Sequence, residues 1–170
     1  MIFKVSSDIW QKATKLANEM KAKSIELGLS YKFLTDREQQ ARITGLAGEI
    51  CFARIFGLPE VQAMTGKDKF DFDFNGMRID LKTHKGKGDL LVNCAQFYRK
   101  KHGIDSFAFG RVFDNYFEPL GWISTQDVDR KGKVKCFANG SKAFVISLRH
   151  LHDFTEIPER VKNGVVAEKA

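Results

Sequence analysis

The sequence predicts one domain of the α/β class, in which two N-terminal helices cover a mixed β-sheet formed by a strand-rich second half. Helical hydrophobic spacing dominates the first third, and an Asn-Gly turn then opens a series of short β-type segments. A chain of 170 residues with 43% apolar residues is long enough for one core and too short for two full domains. We assign residues 1–163 to this domain and residues 164–170 to a flexible tail.

The first helix is predicted at residues 8–27. Apolar residues recur at helical spacing from Ile9 to Met20, Ser6 and Ser7 can cap the start, and Gly28 can end the helix. The second helix is predicted from Thr35 to about residue 56.

The second helix has clear signals at both ends. Thr35 and Glu38 match a capping box, and Gly57 can end the helix. On this helix Glu49 lies at the edge of the apolar face, near Gly45 and Gly48, which have no side chains and permit close approach of another backbone. A carboxylate in such a place requires a partner.

The dipeptide Asn75-Gly76 predicts a two-residue hairpin turn, which determines the pairing of the flanking strands. One face of the hairpin is apolar and is expected to pack on the second helix: Phe74 lies opposite Met77, Phe72 opposite Ile79 and Phe70 opposite Leu81. The other face is charged: Asp73 lies opposite Arg78, Asp71 opposite Asp80 and Lys69 opposite Lys82. Further strands are predicted at 90–93, 106–113, 120–124 and 143–148, while residues 95–101 fit either a short helix or an irregular crossing.

The predicted pairing of Asp71 with Asp80 is unfavourable, because like charges opposite each other destabilise a sheet. A proton, a lysine or a cation between them would relieve the repulsion, and two converging carboxylates are typical Mg²⁺ ligands. The same pairing predicts that Asp80→Asn stabilises the protein without metal. Lys82 follows on the same strand face, where an ammonium can assist a metal-bound water or stabilise charge on a phosphate. The alternative is an ordinary surface lattice in which Lys69 and Lys82 neutralise the two aspartates.

The composition favours a polyanionic partner. The net charge is +7, from 28 Lys and Arg against 21 Asp and Glu, and much of it lies in short basic runs at residues 82–87, 99–102 and 130–135. The three cysteines have no spacing typical of a zinc site or a disulfide framework, and no apolar run is long enough to span a bilayer. We therefore expect a cytoplasmic protein that does not act at a membrane.

The segments GLAGEICFARIFG (45–57) and FDFDFNGMRIDLKT (70–83) resemble the PD-(D/E)XK nuclease superfamily of phage and bacteria. The resemblance implies a restriction-endonuclease-like fold and a Mg²⁺-dependent endonuclease that cleaves DNA, with Mn²⁺ as a substitute metal. Its catalytic and metal-binding residues correspond to Glu49, Asp71, Asp80 and Lys82, and the backbone carbonyl of Leu81 completes the metal shell. No proline precedes Asp71, so Asp73 stays open as a rival for its role.

The resemblance also implies a nucleic-acid path and a homodimer in a bacterial or phage-infected cell. The residues expected along this path are Thr83, His84, Lys85, Lys87, Arg99, Lys100 and Lys101. Two other functions stay open: a non-cleaving nucleic-acid-binding module on the same scaffold, and an interaction subunit whose basic patches only confer solubility.

Overall fold

The computed structural model describes residues 1–28, 35–63 and 70–157. The helices are α1 (Ser7–Glu26), α2 (Asp36–Phe56), α3 (Cys94–Lys100) and α4 (Thr125–Lys131). The strands are β1 (Phe3–Lys4), β2 (Phe72–Phe74), β3 (Met77–Lys85), β4 (Leu90–Asn93), β5 (Ser106–Val112), β6 (Tyr116–Ser124), β7 (Lys133–Cys136) and β8 (Lys142–Ile146). Two 3₁₀ turns follow at Leu148–His150 and Phe154–Glu156. The predicted tail, residues 164–170, lies outside the described residues.

Both N-terminal helices are confirmed, and the capping signals explain where α2 begins and ends. The side chain of Thr35 accepts a hydrogen bond from the backbone N–H of Glu38, and the Glu38 carboxylate accepts one from the backbone N–H of Thr35. Gly57 ends the helix in the left-handed conformation, with φ of 63°. Among the described helices, none is long and apolar enough to cross a membrane.

The described strands form two sheets, so the predicted single mixed sheet is wrong. A five-stranded sheet has the order β1-β6-β5-β3-β2, with β3 parallel to β5, and a three-stranded antiparallel sheet has the order β4-β8-β7. Strand β3 pairs with β2 on one edge and β5 on the other, so neither edge is free for β4. The chain therefore starts a second sheet, which agrees with the α/β class and not with a single sheet.

The predicted strands are all present, but three elements are additional. Strand β4 has the predicted bounds, β5 and β8 agree within two residues, and β6 begins four residues earlier than expected. The sequence analysis did not predict β1, α4 or β7. Residues 95–101, left open between two structures, lie mostly in helix α3, whose start is capped by the side chain of Asn93.

The hairpin register is confirmed for its first three pairs and then ends. Phe74 pairs with Met77, Asp73 with Arg78 and Phe72 with Ile79. At Asp71 the backbone N–H donates to the carbonyl of Ile79, so regular pairing does not continue to Asp80. Lys69 lies outside the described residues, and its predicted pairing with Lys82 is not described.

The apolar face of the hairpin packs on α2 as expected, with one exception. The rings of Phe72 and Phe52 lie 5.3 Å apart between centroids, and those of Phe74 and Phe56 lie 5.2 Å apart. Phe70 packs instead against a second core between the two sheets, which includes Phe97 of α3. The prediction that Phe70 shares the face of Phe72 is wrong, because the chain leaves the regular ladder at Asp71.

Candidate active site

The alternation of side chains along β3 separates a core face from a charged face. Ile79 and Leu81 are buried in the core that α2 helps to form. Asp80 and Lys82 point to the opposite side of the strand, as the period of two requires. Asp80 is 1% exposed, so its carboxylate needs compensating charges or hydrogen bonds.

Two lysines supply the charge that Asp80 requires. Lys82, two residues along β3, forms an ion pair with Oδ2, and Lys100 of α3 approaches Oδ1 to 2.6 Å. The two lysine side chains are themselves mostly buried, with exposures of 21% and 23%. Lys100 was predicted as a phosphate contact, and the structure places it directly on the carboxylate of the DLK triplet.

Asp71 lies next to this charged pair, but within the described residues no lysine or arginine forms an ion pair with its own oxygens. Its Oδ2 accepts a hydrogen bond of 2.7 Å from the backbone N–H of Leu81. Burial, and after it the negative charge of Asp80, raises the pKa of Asp71 to about 6, although Lys82 and the hydrogen bond from Leu81 act to lower it. The two aspartates therefore interact electrostatically, although they do not form a regular strand pair.

Glu49 reaches the same region from helix α2. Gly48 lies so close to β3 that a Cβ there would be 2.5 Å from the Thr83 side chain, and this contact brings the helix against the strand. Burial raises the pKa of Glu49 well above its ordinary value, and the charges of Asp71 and Asp80 raise it further. The charges of Asp71 and Asp80 thus act on a carboxylate that comes from a third segment of the chain.

A cavity of about 490 Å³ opens beside these groups. Its wall includes Glu49, Asp71, Gln96, Arg99 and Lys100, together with apolar residues from α1, α2 and the hairpin. The wall thus presents acidic, basic and amide groups together, which suits a polar ligand.

The donor set is suited to a divalent cation, but the side chains are not gathered around one point. Within residues 1–28, 35–63 and 70–157, no three His, Cys, Asp or Glu side chains lie close enough together to hold a metal ion. Oδ2 of Asp80 is buried and has an ion pair, but no hydrogen bond of ordinary geometry, with the described part of the chain. Carboxylate oxygens are the ligands that Mg²⁺ prefers, and Glu49 and Asp71 both have raised pKa values beside Asp80, so the chemistry of these residues fits the ion.

Asp73, the rival of Asp71, has a local structural contact. Its Oδ1 accepts a hydrogen bond of 2.8 Å from the backbone N–H of Gly76, and the side chain is exposed. The expected ion pair of Asp73 with Arg78 is replaced, because the Arg78 guanidinium binds both oxygens of Asp105 at 3.0 Å. Asp71 keeps the candidate role because it lies beside Asp80.

Two residues predicted along the nucleic-acid path lie inside the fold. Thr83 faces α2 at Gly48 and not the charged face of β3, because it follows Leu81 in the strand alternation. Nε2 of His84 accepts the backbone N–H of Leu91, and burial, followed by the charge of Arg111, lowers the pKa of His84. Both side chains are half-buried, and their role as phosphate contacts stays a prediction, although Thr83 packs on Gly48 and His84 already accepts a backbone hydrogen bond.

The remaining predicted contacts differ in their surroundings. Nζ of Lys85 lies 3.3 Å from Oδ1 of Asp114, with which it forms an ion pair. Lys87 is exposed, and Arg99 lines the cavity. The ammonium of Lys101 lies 5.1 Å from the centroid of the Tyr98 ring. Of the set, Arg99 and Lys100 are the two that meet the carboxylates at one cavity.

The contact of Lys100 with Asp80 was missed, although a signal for it exists. Gln96, Arg99 and Lys100 are spaced i, i+3 and i+4, so a helix would place all three on one side. The sequence does not decide between a helix and an irregular crossing for this segment. It therefore does not show which face of the segment meets Asp80.

Comparison with known proteins gives no further support: no protein-family model, no curated protein and no solved structure matches this chain.

Proposed function

We propose that this protein is a Mg²⁺-dependent nuclease that hydrolyses phosphodiester bonds in DNA. The observation that carries the proposal is that Glu49 and Asp71 line one cavity and have pKa values raised by burial and by the charge of Asp80, which Lys82 contacts. An exposed surface does not require three carboxylates and an ammonium so close together. Titratable groups with strongly perturbed pKa values cluster at functional sites.

In this proposal Glu49, Asp71 and Asp80 hold the metal, with the backbone carbonyl of Leu81 as a further ligand. Bound there, Mg²⁺ would supply Lewis acidity that polarises the scissile phosphate and lowers the pKa of a water molecule. The raised pKa values mean that Glu49 and Asp71 bind protons readily when no cation neutralises them. Mn²⁺ should substitute, because it accepts the same oxygen ligands.

Lys82 acts on the phosphate or on the attacking water. Its ammonium contacts Asp80 and is mostly buried, so it loses little interaction to solvent screening. An ammonium fixed in this way stabilises the negative charge that develops on phosphate oxygens during hydrolysis. Asp80 holds Lys82 in position for that role.

Arg99 provides the contact with the DNA phosphate backbone that lies nearest to the carboxylates. Lys87 and Lys101 extend the basic surface. Such contacts give affinity without sequence preference. The proposal includes the restriction-endonuclease-like fold, a homodimer that cuts both strands, and action in the cytoplasm of a bacterial or phage-infected cell.

The test is DNA cleavage by the wild type, Asp80→Ala and Lys82→Ala, with duplex, single-stranded and branched substrates. We expect cleavage by the wild type in Mg²⁺, none with chelator, and at least a hundredfold loss in both variants, as removal of a catalytic group typically costs about 10²–10⁴-fold. Asp114→Ala is the control, because Asp114 is exposed and lies outside the cavity. Equal cleavage by all four proteins would identify a contaminant and remove the support for the proposal.

A non-cleaving nucleic-acid-binding module is the second candidate, and the ion pairs of Asp80 favour it. Lys82 and Lys100 neutralise the carboxylate that a metal requires, and no described trio of ligands surrounds one point. This candidate predicts salt-dependent DNA binding by the wild type, unchanged by Mg²⁺, with no cleavage of any substrate.

A further inference from the structure

We propose that Lys100 makes metal binding depend on DNA. The ammonium of Lys100 stays paired with the Asp80 carboxylate until a phosphate of the DNA backbone becomes its partner instead. This inference rests on the proposed function and adds a regulatory role for a residue of α3. The ion pair between Lys100 and Asp80, at 2.6 Å across two elements, is the observation behind it.

The two ammonium groups on Asp80 differ in how the fold holds them. Lys82 is carried by the same strand, two residues away, so it remains beside Asp80 whatever the cavity contains. Lys100 reaches Asp80 from a separate seven-residue helix, through a flexible side chain. The ammonium of Lys100 can therefore exchange Asp80 for another partner while strand β3 stays in place.

Lys100 and a metal ion compete for the same carboxylate. The ammonium lies within hydrogen-bond distance of Oδ1 of Asp80, in the space that a cation ligated by this oxygen would occupy. Burial of the carboxylate excludes most of the water that would otherwise screen the ion pair. Metal binding must therefore displace the Lys100 ammonium from Oδ1, or the metal must do without this oxygen of Asp80 as a ligand.

A DNA phosphate supplies the alternative partner for Lys100. Arg99, the preceding residue, lines the same cavity and makes no ion pair with the described part of the chain. A phosphate bound by Arg99 offers anionic oxygens to Lys100, which frees Asp80 for the metal. By linkage, DNA then raises the affinity for metal and metal raises the affinity for DNA by the same factor.

The experiment measures Mn²⁺ binding by calorimetry and by electron paramagnetic resonance, with and without a short phosphorothioate duplex that resists hydrolysis. For the wild type we expect DNA to tighten Mn²⁺ binding about tenfold, within the range of about 5- to 150-fold typical of coupled sites. Lys100→Met and Lys100→Gln should bind Mn²⁺ about tenfold more tightly than the wild type without DNA, and DNA should add little. Lys4→Met is the control, since Lys4 is exposed on β1, at the opposite edge of the five-stranded sheet from β2.

The outcomes separate this inference from the proposed function. If both Lys100 variants bind Mn²⁺ as weakly as the wild type without DNA, while the wild type binds the metal and cleaves DNA, the role of Lys100 is refuted and the nuclease remains. If no protein binds Mn²⁺ in either condition, both proposals are refuted. A melting temperature for each variant confirms that the binding data refer to folded protein.

Discussion

The three carboxylates of the site differ in how the fold compensates their charge. Asp80 is the most deeply buried and has two ammonium groups in contact with it. Asp71 accepts one backbone N–H, so burial and the charge of Asp80 dominate and its pKa rises to about 6. The expectation that Asp80→Asn stabilises the protein is therefore reversed: this change would leave Lys82 and Lys100 without their counter-charge. The residues whose charge costs stability are Glu49 and Asp71, because the pKa values of both are raised in the folded state.

Replacement of Asp71 by Asn should stabilise the protein at high pH. The folded-state pKa of Asp71, about 6, lies above the ordinary value of 3.8, so the folded state takes up a proton that the unfolded state does not. Stability of the wild type therefore rises as the pH falls from about 6 to about 4, and it is lowest above pH 6. We expect Asp71→Asn to raise the free energy of unfolding by about 1–3 kcal/mol at pH 8 and by little at pH 4.

The measurement is urea denaturation with chelator present at both pH values. Asp73→Asn is the control, because Asp73 is exposed on the same hairpin and Asn keeps the acceptor for Gly76. We expect this control to change stability by less than about 0.5 kcal/mol at either pH. A loss of stability in Asp71→Asn at pH 8 would show that the hydrogen bond to Leu81 outweighs the burial of charge.

Sequence reasoning at this scale found Glu49, Asp71, Asp80 and Lys82, which the structure places beside one another. The strand period and the turn were sufficient to put the two aspartates on neighbouring strands. It did not find the partner of Asp80 on α3, because seven residues of mixed polarity carry too little periodicity to assign a side. Contacts between elements distant in sequence depend on the packed fold.

At the scale of elements, the approach of α2 to β3 positions Glu49. Gly48 faces Thr83 with no space for a side chain, whereas Gly45, one turn earlier, has no atom within 4 Å of the position of a Cβ. The absence of a side chain at Gly48 therefore sets the spacing between helix and strand. The sequence indicated this close approach, but not that Thr83 would fill it.

Gly48→Ala should destabilise the protein and impair the site. A methyl group in this contact costs about 1–3 kcal/mol by overpacking, which exceeds the gain of about 0.5–1 kcal/mol from replacing glycine in a helix. We expect a net loss of about 1–2 kcal/mol in the free energy of unfolding, and a lower cleavage rate because Glu49 moves away from Asp80. Thermal and urea denaturation measure the first effect, and the DNA assay measures the second.

Gly45→Ala is the matched control on the same helix. It makes the same chemical change in open space, so it should stabilise α2 by about 0.5–1 kcal/mol and leave cleavage unchanged. Thr83→Ala combined with Gly48→Ala removes the atoms that clash and should restore part of the lost stability. Equal effects of the two glycine substitutions would contradict the proposed role of the contact.

At the scale of the whole molecule, the fold divides into two cores on either side of β3 and β5. One core lies between the five-stranded sheet and the N-terminal helices, and the other lies between the two sheets. The sequence predicted the helices and most strands, because local periodicity and turn signals specify them. It did not predict the division into two sheets, since that follows from the parallel pairing of β3 with β5, which is non-local.

The distribution of charge, rather than the net charge of +7, should decide DNA affinity. Arg99→Ser and Lys4→Ser each remove one positive charge, but Arg99 lines the cavity whereas Lys4 is exposed on β1, at the opposite edge of the five-stranded sheet from β2. We expect Arg99→Ser to weaken DNA binding and to lower the slope of log affinity against log salt by about one, because one phosphate contact is lost. Fluorescence anisotropy with a labelled duplex, with chelator present and across a salt series, measures both quantities. Lys4→Ser should leave the slope unchanged, and equal losses in the two variants would mean that binding follows overall charge and not the cavity.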